Sequence, residues 1–207
     1  MQHPFDYTYL DWNMRKVGLA SSNGATRLGM LWSYAFHCAK LGGVFCEVGV
    51  YLGGSSYTIS DALETANSDV KFYMVDTFCG HPYDDAKESV HKARIFDIPG
   101  EKVPGIIKVL NGLRVGNEVK GGKIEDINFG DTKFAFVHVD TDTYQSVKYC
   151  LSYFWPKMMD RGIMVLDDPM FESCPGAKAA LDESIPVLNL KPIVIPSKQV
   201  VLIKGLT

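Results

Sequence analysis

Short apolar runs alternate with helical periodicity along this 207-residue chain, and that alternation leaves few folds open. The runs are Val44–Val48, Lys71–Asp76, Ile106–Leu110, Phe134–Asp140 and Gly162–Leu166. Near-continuous apolar strands separated by helices mark a parallel sheet covered on both faces. Helices are read over Thr26–Lys40, Ser56–Ala66, Thr143–Met159 and Gly176–Ser184. In the first of them Leu28, Leu31, Trp32, Ala35 and Ala39 fall on or near one face. Two closing strands, near Pro192–Ile195 and Gln199–Ile203, lie too close for a helical crossover and should form a hairpin. The expectation is an α/β fold with a doubly wound sheet, mostly parallel, ending in an antiparallel hairpin strand.

In such sheets ligands bind at the carboxyl ends of the strands. The first strand runs into Glu47-Val48-Gly49-Val50-Tyr51-Leu52-Gly53-Gly54-Ser55-Ser56. Its glycines let backbone approach a ligand, and the next helix offers free N–H groups. The second strand ends in Asp76, placed to take both hydroxyls of a ribose. An adenosine-containing cofactor is therefore expected. The residues alone do not separate NAD from S-adenosylmethionine, although the turn is not GxGxxG, which weakens NAD.

The fourth strand ends in Asp140-Thr141-Asp142 and the fifth in Asp167-Asp168. Neighbouring strand ends thus bring four carboxylates towards one cleft, where they would raise each other's pKa. A hard divalent cation relieves that repulsion, and all-oxygen ligation suits Mg²⁺, Ca²⁺ or Mn²⁺. The alternative for Asp142 is a helix N-cap. His138 shares the parity of Asp140 but lies deeper and reads as a hydrogen-bonded core histidine. Cys46 and Cys79 read as buried, inert thiols. Tyr7, Tyr9 and Trp12 either line a substrate site or pack the N-terminal arm. The long connection Thr77–Gly105, with a charged, helix-like middle at Asp84–Phe96, reads equally as a lid and as a solvated excursion.

Charge and cysteine usage narrow the partners. With 21 Lys and Arg against 24 Asp and Glu, the net charge of −3 offers no surplus for a nucleic-acid backbone or an anionic membrane. No apolar stretch reaches the ~20 residues of a membrane helix, and Met1–Tyr9 lacks the pattern of a signal peptide. Five scattered cysteines without a CxxC pair read as reduced thiols of a cytoplasmic protein.

The segment GVFCEVGVYLGGSS resembles the first motif of class I S-adenosylmethionine-dependent methyltransferases. It is similar in particular to the macrocin (TylF-type) sugar O-methyltransferases, whose motif runs Glu-x-Gly-x-x-x-Gly-Gly. The resemblance continues through Tyr73–Gly80, His138–Tyr144, Phe154–Lys157 with Gly162–Asp168, and Pro175–Glu183. Upstream, Gly24-Ala-Thr-Arg27-Leu28 resembles the family's Gly-x-x-Arg-Leu lead-in.

This resemblance implies a Rossmann-like methyltransferase domain over residues 24–207, preceded by an N-terminal arm at 1–23. It implies that Glu47, Gly49, Gly53, Gly54 and Ser55 surround the methionine part of S-adenosylmethionine, with Asp76 on the ribose and Asn111 and Gly112 near the adenine. It further implies that Asp140, Asp167 and Asp168 hold Mg²⁺ and that Asp142 is the general base. The expected partner is a small-molecule hydroxyl acceptor, a sugar or glycoside; a homo-oligomer stays open. Catechol-type enzymes on this fold typically place a Lys base a few residues after the first ligand. Here the nearest is Lys148, which favours the sugar-type arrangement. The alternatives are a catechol-type enzyme, a non-catalytic S-adenosylmethionine-binding module and an NAD-dependent oxidoreductase.

Overall fold

The computed structural model describes residues 5–83 and 96–206. The helix-or-lid expectation at Asp84–Phe96 therefore falls outside the described residues except for Phe96. Helices α1 (Tyr7–Lys16) and α2 (Ala25–Cys38) lead into β1 (Val44–Val48), α3 (Gly54–Thr65) and β2 (Phe72–Asp76). Then come α4 (Val103–Gly112), β3 (Asn117–Gly121), β4 (Phe134–Val139), α5 (Tyr144–Phe154) and β5 (Met158–Leu166). The chain closes with α6 (Pro175–Leu188), β6 (Ile193–Val194) and β7 (Val200–Ile203).

The strands form one seven-stranded sheet in the order β3-β2-β1-β4-β5-β7-β6. The first five are parallel, β7 runs antiparallel to β5, and β6 pairs with β7 as the expected hairpin. One face is covered by Leu28, Leu31 and Trp32 of α2 and Ile59 and Leu63 of α3, packed with Phe45, Phe136 and Ile163. The other carries Val147, Leu151 and Phe154 of α5 and Ala177 and Leu181 of α6 against Cys46, Val137 and Met164. Burial on both faces explains why the central strands read as unbroken apolar runs. Among the described residues no helix is long and apolar enough to cross a membrane. The five cysteines are free thiols; Cys46 is buried as expected, whereas Cys79, on the loop after β2, is exposed and corrects the expectation of burial.

Two expectations are corrected. Ile106–Leu110 is not a strand; it lies inside α4, which opens with a proline in its first turn and buries Ile106 and Leu110, one helical turn apart. A short apolar run is ambiguous by periodicity alone. The third strand is β3, a polar edge strand whose Glu118 pairs with Lys71 and Lys120, each at 2.6 Å. Charged side chains suit an edge, but they hid the strand from a search for apolar runs. The helix expected to reach Met159 stops at Phe154, followed by a 3₁₀ turn at Trp155–Lys157 that contains Pro156. Accordingly β5 begins at Met158, and its pairing with β4 shifts register between Phe134 and Phe136.

Candidate active site

The strand order reverses between β1 and β4, so the crevice that accepts ligands in open α/β sheets opens where these two strands end. The ladder carries the ends together: Asp140 N donates to Val48 O, and Asp167 N to Val139 O, both at 2.9 Å. At the crossing point Gly49 has φ +94°, and a Cβ there would land on the carbonyl of Asp140. Only glycine fits such a position. Beyond it the turn is held by Asp76, whose Oδ2 accepts from Val50 N (2.6 Å) and Tyr51 N (2.7 Å) while Oδ1 accepts from Phe78 N (2.6 Å). The segment before α2 closes the other side. Ala20 bridges to Gly53, and a Cβ on Gly54 would lie 2.6 Å from Ala20 O.

Between these walls lies a cavity of about 270 Å³. Its lining includes Gly49, Gly54, Ser55 and Asp76 from the cofactor expectation and Asp140, Asp142 and Asp168 from the acidic one. Asp167 lies beneath it, fully buried. The two residues follow the end of β5, and only Asp168 of the pair lines the cavity. Asp168 Oδ2 accepts from Asp142 N at 2.9 Å, and Asp142 adopts a left-handed backbone with φ 58°. Asp142 does not cap α5; Thr143 occupies that position. The Asp142 carboxylate meets Cys174 Sγ at 3.3 Å and His81 Nε2 at 3.5 Å.

A fully buried polar row runs across the sheet below the cavity. Ser56 Oγ donates to Glu47, whose other oxygen lies 2.8 Å from His138 Nδ1. His138 Nε2 is 3.7 Å from Asp167 Oδ1, an electrostatic rather than a hydrogen-bonding distance. Gln199 Nε2 donates to Asp167 Oδ1 at 2.7 Å, and Arg27 Nη1 donates to Asp167 Oδ2. Burial alone would lower the His138 pKa, but the carboxylates of Asp167 and Glu47 outweigh it and push it up to about 10. Burial alone would raise Asp167; His138, Arg27 and Gln199 reverse that and hold it below the usual carboxylate range. Asp140 and Asp168 go the other way. Burial, then the charge of neighbouring carboxylates (Asp167 first for Asp140, Asp142 first for Asp168), pushes both well above that range.

The remaining expected residues fall around this frame. Glu47 is buried in the polar row, and Gly53 (φ 83°) precedes α3; neither lines the cavity. Asn111 and Gly112 end α4, where Asn111 Oδ1 accepts from Val119 N at 2.8 Å, and they do not line it either. The wall after β3 is instead Gly122-Lys123-Ile124-Glu125. The residues that the sequence reading missed are Asn23, Arg27, His81 and Cys174. Asn23 Nδ2 donates to Asp140 Oδ2 at 3.2 Å across 117 residues, a separation that no local pattern reveals. Arg27 sat in a quoted motif, but nothing in its spacing pointed to Asp167.

A family profile described as "Methyltransferase domain" matches residues 46–169. No curated protein sequence matches the chain. Among solved structures, the O-methyltransferase NovP is similar at 20% identity and TM-score 0.71, covering 87% of this chain and 80% of its own. The calicheamicin methyltransferase CalS11, also described as a TDP-rhamnose 3'-O-methyltransferase, is similar at 18% identity and TM-score 0.79. That match covers 99% of this chain and 88% of CalS11. The O-methyltransferase TomG from Streptomyces achromogenes, involved in tomaymycin synthesis and solved with SAM, is similar at 14% identity and TM-score 0.59, covering 99% and 93%.

Proposed function

The chain belongs to the methyltransferase-domain family, and from that premise we propose that it transfers a methyl group from S-adenosylmethionine to a hydroxyl of a sugar or glycoside, with a hard divalent cation such as Mg²⁺. One observation carries the reading: a glycine turn at a helix N-terminus and three carboxylates, Asp140, Asp142 and Asp168, line the same cavity. The match of fold to NovP and to CalS11, a TDP-rhamnose 3'-O-methyltransferase, supports an oxygen acceptor on a sugar. The position of Lys148 supports it too. Its Nζ pairs with Glu183 at 3.3 Å and does not line the cavity, which disfavours the catechol-type base. In this reading residues 24–207 are the catalytic domain and 1–23 an arm against it, and the free thiols suit a cytoplasmic setting.

Gly49, Gly54 and Ser55 would receive the methionine part of the donor, and Asp76 the ribose. The turn at Gly122–Glu125 replaces Asn111 and Gly112 as the wall for the base. The donor set fits a hard cation: Asp140, half-buried, and Asp168, buried, offer only oxygen, and burial followed by the charge of neighbouring carboxylates holds both above the usual carboxylate range. They would hold the ion from the cavity side. When bound, such an ion lowers the pKa of a coordinated hydroxyl and fixes its oxygen. Asp142 takes the acceptor's proton on its carboxylate, which the backbone bond to Asp168 and the contacts with His81 and Cys174 keep in place. The walls around it align the two reactants, an effect worth up to ~7–11 kcal/mol of barrier.

The test is incubation with labelled methyl donor, Mg²⁺ and a panel of nucleotide sugars, glycosides and catechols. Label is expected on a sugar hydroxyl, lost with EDTA and restored by Mg²⁺. Label only on catechols overturns the acceptor class, and undiminished transfer in EDTA overturns the cation. Asp76→Asn should weaken S-adenosylhomocysteine binding by about 10–100-fold in calorimetry, the worth of a charged hydrogen bond.

A further inference from the structure

A second donor set, of different chemistry, stands beside the all-oxygen one. We propose that His81, Asp142, Asp168 and Cys174 form a binding site for a thiophilic divalent cation of the Zn²⁺ class, and that an ion held there occupies the general base and arrests transfer. The arrest rests on the proposed function; the binding does not.

The four residues come from separate parts of the chain. His81 lies on the loop after β2, Asp142 after β4 and Asp168 after β5, and Cys174 is the N-cap of α6. All four line the cavity, so an ion that enters it meets them together. Ligand atoms of Asp142, Asp168 and Cys174 lie within 4.8 Å of one another. Cys174 Sγ stands 3.3 Å from Asp142 Oδ1, and His81 Nε2 stands 3.5 Å from Asp142 Oδ2. The second distance is long for a hydrogen bond. Zinc bonds of about 2.0–2.3 Å at tetrahedral angles set ligand atoms ~3.3–3.6 Å apart, so both spacings match an edge of such a site. Donor chemistry separates this set from the expected one. Asp140, Asp167 and Asp168 offer only oxygen, which suits Mg²⁺, whereas thiolate sulfur and imidazole nitrogen select Zn²⁺ and its like. Burial pushes the Cys174 thiol pKa up, so without an ion it stays protonated and donates to Asp142. A bound cation displaces that proton to solvent, and the sulfur binds as thiolate. The N-terminus of the 14-residue α6 favours the negative sulfur. Asp142 then ligates the ion and no longer takes the acceptor's proton.

The experiment titrates Cd²⁺ or Zn²⁺ alone into the protein, without donor or acceptor. Cd²⁺ should raise a thiolate-to-metal charge-transfer band that saturates at about one ion per chain. Cys79, the exposed thiol, supplies the control: the band should persist in Cys79→Ser and vanish in Cys174→Ser. Zn²⁺ affinity, from competition with a chromophoric chelator, should fall by at least about tenfold in His81→Gln and in Asp142→Asn. Mn²⁺ affinity, from electron paramagnetic resonance of the free ion, should stay within about threefold of wild type in Cys174→Ser, because sulfur is no ligand of a hard cation. A wild type without the band, or a band that survives in Cys174→Ser, overturns the proposal. If Cys174→Ser does not fold, unchanged Zn²⁺ affinity in both His81→Gln and Asp142→Asn overturns it instead. Loss of Mn²⁺ binding in a folded Cys174→Ser merges the two donor sets and overturns it as a separate site. Wild-type protein that binds Cd²⁺ as expected but transfers methyl to no acceptor overturns the proposed function, and the arrest with it, while the site stands.

Discussion

Asp142→Asn is expected to lower kcat by about 10²–10⁴-fold, the range of a lost general base, while S-adenosylhomocysteine binds within about twofold of wild type. The two halves of that result have separate structural causes. The glycine turn and Asp76 hold their shape through Val50, Tyr51 and Phe78 N–H groups, none of which involves Asp142. The asparagine keeps the backbone bond from residue 142 to Asp168, because that bond uses the main-chain N–H. It also suits the left-handed conformation at φ 58°, which asparagine tolerates well. What it removes is an acceptor for the proton of the substrate hydroxyl. Single-turnover kinetics and calorimetry on the same preparation check the split. A fully active Asp142→Asn enzyme would shift the proton to His81, whose Nε2 lies 3.5 Å away.

Gly49→Ala should be more damaging still, to folding as well as to binding. The added methyl meets the carbonyl of Asp140, which is backbone and cannot rotate aside, and φ +94° is strained for any L side chain. Relief requires β1 and β4 to part at their ends, which breaks the 2.9 Å bond from Asp140 N to Val48 O. Urea denaturation should show a loss of about 3–5 kcal/mol, the tail of single-substitution effects. Donor binding should fall below detection in calorimetry. Gly100→Ala is the control: nothing lies within 4 Å of a Cβ there, and its φ is ordinary.

How far the sequence revealed this depends on whether the signal was local. The parallel core was legible because β1, β4 and the Gly162–Leu166 half of β5 are buried on both faces and so are apolar but for Glu47 and His138. β3 was not, because an edge strand with Lys71, Glu118 and Lys120 paired along it carries no apolar pattern. The amphipathic face of α4 imitated a strand in its place. The acidic cluster was legible because strand-end aspartates fall at fixed positions along the chain. Its hydrogen-bond partners were not: Arg27 at Asp167 and Asn23 at Asp140 stand 140 and 117 residues away.

The buried row from Ser56 through Glu47, His138 and Asp167 to Gln199 has an implication for how such a chain can change over generations. Each member leans on the next, so exchanging Glu47, His138 or Asp167 for a hydrocarbon would strand a charge in a dry interior at a cost of about 3–5 kcal/mol, and losing the Ser56 or Gln199 donor would cost about 1–3 kcal/mol. Exchanging the whole set together could be nearly neutral. Viable descendants therefore lie several simultaneous steps away, and single-site libraries directed at these positions should return almost nothing but the parent.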